Sequence, residues 1–257
     1  MSRQPIYEEE FDGIILYEYE EFEPRSPSFL VLGLPDTGLV GVITVNHLCS
    51  SLGLKEVGGI DFARVMPPVA VIRGGELKTP IRFFFKDNIV ALASEAPIPP
   101  QAIYPLSSLI VDYALRRGIN YIVSIVGIAS PNRMELPKPR VYWIASNEKA
   151  RKLVEGLNLE NFSDGYLVGP YAQILKQCVR KRASNIVLLA DAYIEFPDPE
   201  AAAEVVQVLS KIMGVQVDVK KLLDEAELIR LKLRELMRQT RQTIAEMHKV
   251  SPPTLYA

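Results

Sequence analysis

The feature that most constrains the fold is a set of short, continuous apolar runs separated by segments with helical periodicity. Three runs, FLVLGLP (29–35), NYIVSIVGIA (120–129) and NIVLLADAY (185–193), are bounded by turn residues. Continuous apolar runs of this length are typical of strands covered on both faces. Segments 101–117 and 170–182 instead repeat apolar residues every three or four positions, which indicates helices. Because parallel strands need a returning crossover, the alternation predicts an α/β fold, a three-layer α/β/α domain with a mostly parallel mixed sheet.

Further strands are predicted in the first third of the chain. An acidic strand opens at 14–19, and FLVLGLP leads into a helix that starts near Thr37 and closes at Gly53. The region from 57 to 95 is rich in β-branched and aromatic residues, which favour strands. It contains four candidate strands: VGGIDFARV, VAVIR, IRFFFK and NIVALASE.

The C-terminal part differs from the rest, because it reads as two consecutive helices, 199–213 and 217–249. We therefore divide the chain into an α/β/α domain (1–215), a long C-terminal helix (216–250) and an extended tail (251–257). The long helix carries an apolar seam at alternating spacings of four and three, which is a heptad pattern. The seam comprises Leu222, Ala226, Ile229, Leu233, Leu236, Thr240, Thr243 and Met247.

At about 1.5 Å per residue, such a helix would be about 45 to 50 Å long. This length predicts that the helix projects from the domain or packs against other copies of the chain. The alternative is that the helix folds along its own domain and that its charged residues form a solvated face.

Composition excludes some classes of function. The formal net charge is −2 and the isoelectric point is about 5.9, so neither nucleic acid nor a membrane is expected as a partner. No export signal precedes the first strand and no apolar run reaches membrane-spanning length. Cys49 and Cys178 lie in no metal-binding or redox motif, and we interpret them as reduced, buried thiols of a cytoplasmic protein.

The turn after the first core strand, GLPDTGLVG (33–41), is the first candidate binding site, because helix N-termini at such turns bind anions. A phosphate-binding loop would place Lys-Ser or Lys-Thr after its second glycine, whereas Gly38 is followed by Leu39. We interpret Asp36 or Thr37 as a helix cap and the glycines as close-packing positions.

A second candidate site would form from Glu95, Arg133, Glu135 and Asp191 at the carboxyl ends of strands, where open α/β sheets bind ligands. Polar residues at strand ends are also common in ordinary turns. Ser130 has no nearby histidine, and His47 is expected to be packed while His248 ends the last helix. No catalytic residue, metal site or cofactor is therefore predicted. The enzymatic alternative is a phosphorylase- or hydrolase-like activity that uses Asp36, Arg133 and Asp191 around a small ligand.

The end of the chain, SPPTLYA, is unusual for a terminus. Pro252 and Pro253 cannot continue a helix and favour an extended conformation. Beyond them, Leu255 offers an apolar anchor, Tyr256 an aromatic ring with a hydroxyl, and Ala257 a carboxylate. This combination suits a pocket that captures a C-terminal carboxylate. The alternative is that the tail folds back on its own subunit.

These three residues resemble the hydrophobic-tyrosine-any-residue (HbYX) motif with which proteasome activators and assembly factors dock on the proteasome α-ring. The body of the chain resembles the archaeal proteasome assembly chaperone family, homologous to the second eukaryotic proteasome assembly chaperone, over residues 10 to 250. The resemblance is carried by FLVLGLPDTGLVG, the FFF strand, NYIVSIVGIA with its following SPNR, and the long terminal helix.

The resemblance implies a non-catalytic α/β/α fold distantly similar to nucleoside phosphorylases. It also implies a homo-oligomer, a tetramer or pentamer, that binds proteasome core α-subunits through Leu255, Tyr256 and the Ala257 carboxylate. A self-assembling scaffold with sequestered tails is the third interpretation.

Overall fold

A computed structural model of the chain describes residues 4–65 and 70–248. The strands are β1 (Tyr7–Phe11), β2 (Ile14–Glu18), β3 (Phe29–Gly33), β4 (Lys55–Phe62), β5 (Val71–Arg73), β6 (Glu76–Lys78), β7 (Ile81–Lys86), β8 (Ile89–Ser94), β9 (Tyr121–Ala129), β10 (Val141–Ala145), β11 (Glu160–Asn161) and β12 (Asn185–Ala192). The helices are α1 (Val40–Leu52), α2 (Ile103–Arg116), α3 (Glu148–Val154), α4 (Pro170–Lys181), α5 (Pro199–Met213), α6 (Lys220–Asp224) and α7 (Ala226–His248).

Ten of these strands form one sheet in the order β1-β2-β4-β7-β8-β3-β9-β12-β10-β11. The central strands β8, β3, β9 and β12 are parallel to one another, whereas strands towards both edges pair antiparallel, except for the short parallel pair β10–β11. Strands β5 and β6 form a separate hairpin. The predicted mixed sheet of an α/β/α fold is thus confirmed, with its parallel part at the centre.

The central strands are buried on both faces, as their continuous apolar sequences predict. On one face, Val31 and Ile125 pack in a cluster with α1 and α5. On the other, Leu32 and Val126 pack in a cluster with α2 and α4. Alternate residues of one strand thus contribute to opposite cores, which is why these strands show no polar alternation.

Most sequence-predicted elements of the core are present within a few residues of their expected bounds. Strands β1, β6 and β11 and helix α3, which are short or polar, were not predicted, and neither was the apolar strand β10. The predicted helix 217–249 begins only at Lys220 and is interrupted at Glu225, which separates α6 from α7. Among the described residues, no helix combines the length and apolar character needed to cross a membrane.

Helix α7 lies on its own domain, so the expectation that it projects was wrong for the described part of the helix. Met237 and Thr240 are each only 2% exposed, and Ile229, Leu233 and Leu236 pack against the core that contains α1 and α5. The seam is therefore a real apolar face that covers the domain. The alternative interpretation, a helix folded along its own subunit, is the correct one.

Candidate functional site

A cavity of about 780 Å³ lies at the carboxyl ends of the central parallel strands. Its wall at the sheet is formed by residues 35–37 after β3 and residues 126–129 at the end of β9. From β3 the chain continues to β4, which lies towards one edge of the sheet, and from β9 it continues to β10, which lies towards the other edge. Adjacent strands with diverging connections mark the position where open α/β sheets bind ligands. The cavity thus occupies the expected place for a site in this fold.

The GLPDTG turn that forms one wall is fixed by close backbone packing. A Cβ atom on Gly33 would lie 2.8 Å from the Val45 Cβ, and one on Gly127 would overlap the Thr37 carbonyl. Gly38 adopts a left-handed conformation (φ 64°) that favours glycine. The prediction that the glycines of GLPDTGLVG serve close packing is confirmed.

The buried side chain of Tyr171, at the start of α4, also fixes the GLPDTG turn. Its hydroxyl accepts a hydrogen bond from the Leu34 amide (2.8 Å) and lies 3.1 Å from the Leu32 carbonyl oxygen. Burial raises the pKa of this phenol well above its usual value, so the hydroxyl stays protonated and can donate as well as accept.

Asp36 faces the cavity and does not cap a helix with its side chain. The Leu39 amide instead donates to the Asp36 carbonyl oxygen (2.9 Å), and α1 begins only after Leu39, whose φ of 50° separates the turn from the helix. The predicted capping role of Asp36 was therefore wrong. Desolvation by the surrounding protein raises the pKa of its carboxyl group to about 7, although the Thr37 and Gly127 backbone amides partly offset this effect.

Helix α7 forms the opposite wall of the cavity with residues between Met237 and Met247. Thr240 and Thr243, where the heptad seam becomes polar, line the cavity. Their hydroxyls donate to carbonyl oxygens one turn earlier, those of Leu236 (2.7 Å) and Gln239 (3.2 Å). The replacement of leucine by threonine in the seam was the sequence signal for this wall, although it did not reveal a cavity.

The second predicted site does not exist as a cluster, because its residues have separate partners. Arg133 forms a bidentate ion pair with Asp198 (2.8 and 3.0 Å), and Asp191 pairs with Arg140 (2.9 Å). Glu95 pairs with Arg73 and Arg82, while Glu135 lies exposed in a turn. None of these predicted residues lines the cavity. Of the triad proposed for an enzyme, only Asp36 does so.

The Arg133–Asp198 pair instead fixes the loops around the strand ends. Asp198 accepts hydrogen bonds from the Ala201 and Tyr193 amides, and its own amide donates to the Gly38 carbonyl (2.8 Å). The Arg133 guanidinium also stacks 4.6 Å from the Tyr193 ring centre. The strand-end position of Arg133 was correctly noted from sequence, but its role is structural.

The remaining candidates have simple structural roles. Cys49 and Cys178 are unpaired, and burial raises each thiol pKa to about 12, as expected for inert thiols. His47 is packed, with Nε2 2.8 Å from the Asp218 carbonyl oxygen. Across residues 4–65 and 70–248, no group of three histidine, cysteine or acidic side chains is placed to hold a metal ion. Leu255, Tyr256 and Ala257 lie outside the described residues.

Comparison with known proteins places this architecture in a family. The model of the PAC2 family matches residues 30–237, which is most of the chain. The chain belongs to the PAC2 family. An uncharacterised protein of Methanocaldococcus jannaschii is 29% identical over 243 residues, or 94% of this chain and 98% of the relative.

Two solved structures of Pyrococcus furiosus proteins show how far the likeness extends. PbaA, described as an archaeal homologue of proteasome-assembly chaperone, is 30% identical with a TM-score of 0.81, and the match covers 89% of this chain and 98% of PbaA. PbaB, described as an archaeal proteasome activator, is 21% identical with a TM-score of 0.74 over 88% of this chain and 99% of PbaB, a likeness that shows the fold. The resemblance to proteasome assembly chaperone homologues found in the sequence is confirmed.

Proposed function

We propose that this PAC2-family protein is a proteasome assembly chaperone homologue, an adaptor that docks on the proteasome core α-ring through Leu255, Tyr256 and Ala257. The observation that carries the proposal is the similarity to PbaA over nearly the whole of both chains. The C-terminal residues Leu-Tyr-Ala add the docking element, because they fit the hydrophobic-tyrosine-any-residue pattern. The adaptor would act in the cytoplasm without catalysis.

The position of α7 is compatible with a docking tail. The helix is described to His248, which leaves nine residues, 249–257, beyond it. Nine extended residues span at most about 30 Å. The two prolines reduce the conformational entropy that the segment loses on binding.

A single tail binds weakly on energetic grounds. Full burial of a leucine and a tyrosine contributes about 1.5 to 3 kcal/mol each, against several kcal/mol for lost freedom on association. Several tails on one rigid particle would gain an avidity of about 100- to 10,000-fold. We therefore include self-association, as a tetramer or pentamer, in the proposal.

Exposed apolar side chains support self-association. Leu228 and Leu231, three residues apart on α7, are 46% and 68% exposed, and Leu223 on α6 is 43% exposed. They lie on the face of the C-terminal helices that the domain does not cover. Such residues are typical of a surface that another subunit buries.

The direct test is binding to purified proteasome core by pull-down and biolayer interferometry. Deletion of residues 255–257 removes all three docking residues, and Tyr256→Ala removes the aromatic ring. Each change should therefore abolish capture. Thr254→Ala, one residue before the motif, is the matched control and should bind like the wild type. Undiminished capture after the deletion would refute docking through the tail.

The enzymatic alternative receives little support from the geometry. Of the described residues around the cavity, only Asp36 is acidic, and the Arg133 and Asp191 side chains are engaged elsewhere. Acid–base or nucleophilic catalysis needs at least one further group within hydrogen-bonding distance of the reacting atoms. The cavity is better suited to binding than to chemistry.

A further inference from the structure

We propose that the cavity between the strand ends and α7 is a binding site for a small arylalkylamine, a ring system with a protonated amino group on a short side chain. The ammonium group of this ligand pairs with Asp36. This inference rests on the cavity alone and is independent of docking through the tail.

The size and the walls of the cavity fit a ring-containing molecule. Its volume of about 780 Å³ lies within the range of about 300 to 1,000 Å³ for sites that take small organic ligands. The walls come from four central strand ends, the loop before α4 and α7. They are formed largely by apolar side chains, among them Ile98, Val126, Phe162, Leu189, Met237 and Ile244.

The charge of the site points to a cationic head group. Within the described residues, Asp36 forms no ion pair with a lysine, arginine or histidine, and backbone amides are the groups that stabilise its carboxylate. A carboxylate beside apolar walls is costly unless a cation or further donors compensate it. A ligand ammonium group would supply both the charge and up to three donors.

The charged residues that line the cavity disfavour an anionic head group. Arg238 and Arg241 line the cavity from α7, but Arg238 binds Glu235 (2.6 and 2.9 Å) and Arg241 lies 4.0 Å from Glu195. Both arginine side chains are about half exposed, so water screens their charges. The unmatched charge in the cavity is the carboxylate of Asp36, which repels phosphate or carboxylate groups.

The Asp36 carboxylate accepts hydrogen bonds from the Thr37 and Gly127 backbone amides, but among the described residues no cation offsets its charge. Its side chain does not cap the following helical turn, and the turn is held by Tyr171 and by glycine packing. Carboxyl groups with strongly raised pKa values in a cavity cluster at functional sites, where they cost stability. Asp36 fits this description.

The entrance also favours an aromatic body. Tyr166 and Val168 from the loop before α4, and Ile194 after β12, line the cavity and expose 72%, 42% and 46% of their surface. Exposed apolar residues at the rim of a concave site are typical of a ligand entrance. A planar ring can pack between them and the apolar walls.

The experiment compares two probes that share an indole ring and differ in head-group charge, tryptamine and indole-3-propionate. Isothermal titration calorimetry is performed on the full-length protein at about pH 8, where Asp36 is ionised and the amine is protonated. The wild type is expected to bind tryptamine at least about tenfold more tightly than indole-3-propionate. Asp36→Asn should weaken tryptamine binding by about tenfold or more, as expected for loss of a charge-assisted hydrogen bond.

Two further variants locate the effect. Asp224→Asn removes an exposed carboxylate at the end of α6, outside the cavity, and should bind tryptamine like the wild type. Ile244→Trp fills the cavity from α7 and should abolish binding of both probes while the circular dichroism spectrum stays native. Capture of proteasome core by Asp36→Asn should be unchanged, which separates this site from the tail.

Three results would overturn the proposal. These are equal affinity of the wild type for both probes, undiminished tryptamine binding by Asp36→Asn, and no heat of binding for tryptamine up to about 5 mM with folded protein. Failure of tail docking alone would leave the proposal intact.

Discussion

Asp36 is the residue whose environment has the clearest energetic consequence. Its carboxyl group has a pKa of about 7 in the folded protein, against 3.8 as its ordinary value, because desolvation disfavours the charged form. A raised folded-state pKa of an acid means that the stabilising contribution is complete below about pH 4 and is lost as the pH rises through about 7. Asp36 therefore destabilises the protein at alkaline pH.

Asp36→Asn should remove this penalty. We expect the variant to be about 1 to 2 kcal/mol more stable than the wild type at about pH 8, a value reduced from the full shift because Asp36 is only half-buried. At about pH 3.5, where the carboxyl group is mostly protonated in both the folded and the unfolded state, the two proteins should be nearly equal. Urea unfolding at both pH values measures the difference, and a variant that is less stable at about pH 8 would contradict the assignment.

Gly127 gives a second test at this scale. Gly127→Ala would bring a methyl group into the Thr37 carbonyl, so the GLPDTG turn or the end of β9 must move. We expect a loss of about 2 to 3 kcal/mol in the free energy of unfolding, as in other overpacked positions. Gly156→Ala is the matched control, since no atom lies within 4 Å of the added Cβ. A neutral Gly127→Ala would show that the turn is not tightly packed.

Residue-level roles were only partly predictable from the sequence. The glycines of GLPDTGLVG were correctly interpreted as packing positions, because their spacing in a strand-turn-helix segment restricts the alternatives. The direction of the Asp36 side chain was not predictable, since it depends on the left-handed conformation of Leu39 and on the distant Gly127. The partners of Arg133 and Asp191 are likewise 65 and 51 residues away in sequence.

At the scale of elements, α7 shows what a heptad pattern does and does not determine. The seam correctly identified an apolar face, and its change to threonine at 240 and 243 coincides with the cavity wall. The pattern does not identify the surface that buries the face, because α1 and α5 offer the same apolar chemistry as a second copy would. Tertiary packing decided between the two alternatives.

The packing of α7 can be tested with two residues of the same helix. Met237→Ala should cost about 2 to 4 kcal/mol, because Met237 is buried in the core that contains α1 and α5. Leu231→Ala, at a position 68% exposed, should change the free energy of unfolding of the isolated subunit by less than about 0.5 kcal/mol. Thermal or chemical unfolding at low protein concentration provides the comparison, and equal effects would mean that α7 is not docked as described.

At the scale of the whole molecule, the uncovered face of the C-terminal helices is the expected contact between subunits. The double substitution Leu228→Glu and Leu231→Glu should shift the particle towards the monomer, because it places charges in an interface that must exclude water. Size-exclusion chromatography with light scattering measures the mass. Val179→Glu, at an exposed apolar position on α4, is the control and should leave the mass unchanged.

An unchanged mass for the double variant, with its native circular dichroism spectrum retained, would show that copies associate elsewhere or not at all.

The fold class and the family were predictable from the sequence, since both follow from the order of elements and from the GLPDTGLVG segment. The number of subunits and the surface they share were not predictable, because solvent-facing leucines on a helix look the same whether or not another chain covers them.

The double position of α7, between the cavity and the chain terminus, has a thermodynamic consequence. Helix α7 forms a wall of the cavity and precedes the last nine residues of the chain. If the proposed ligand changes the affinity of the proposed tail docking by moving this helix, linkage requires that docking change the affinity of the cavity for the ligand by the same factor. The shared helix α7 would then couple the two proposed binding events.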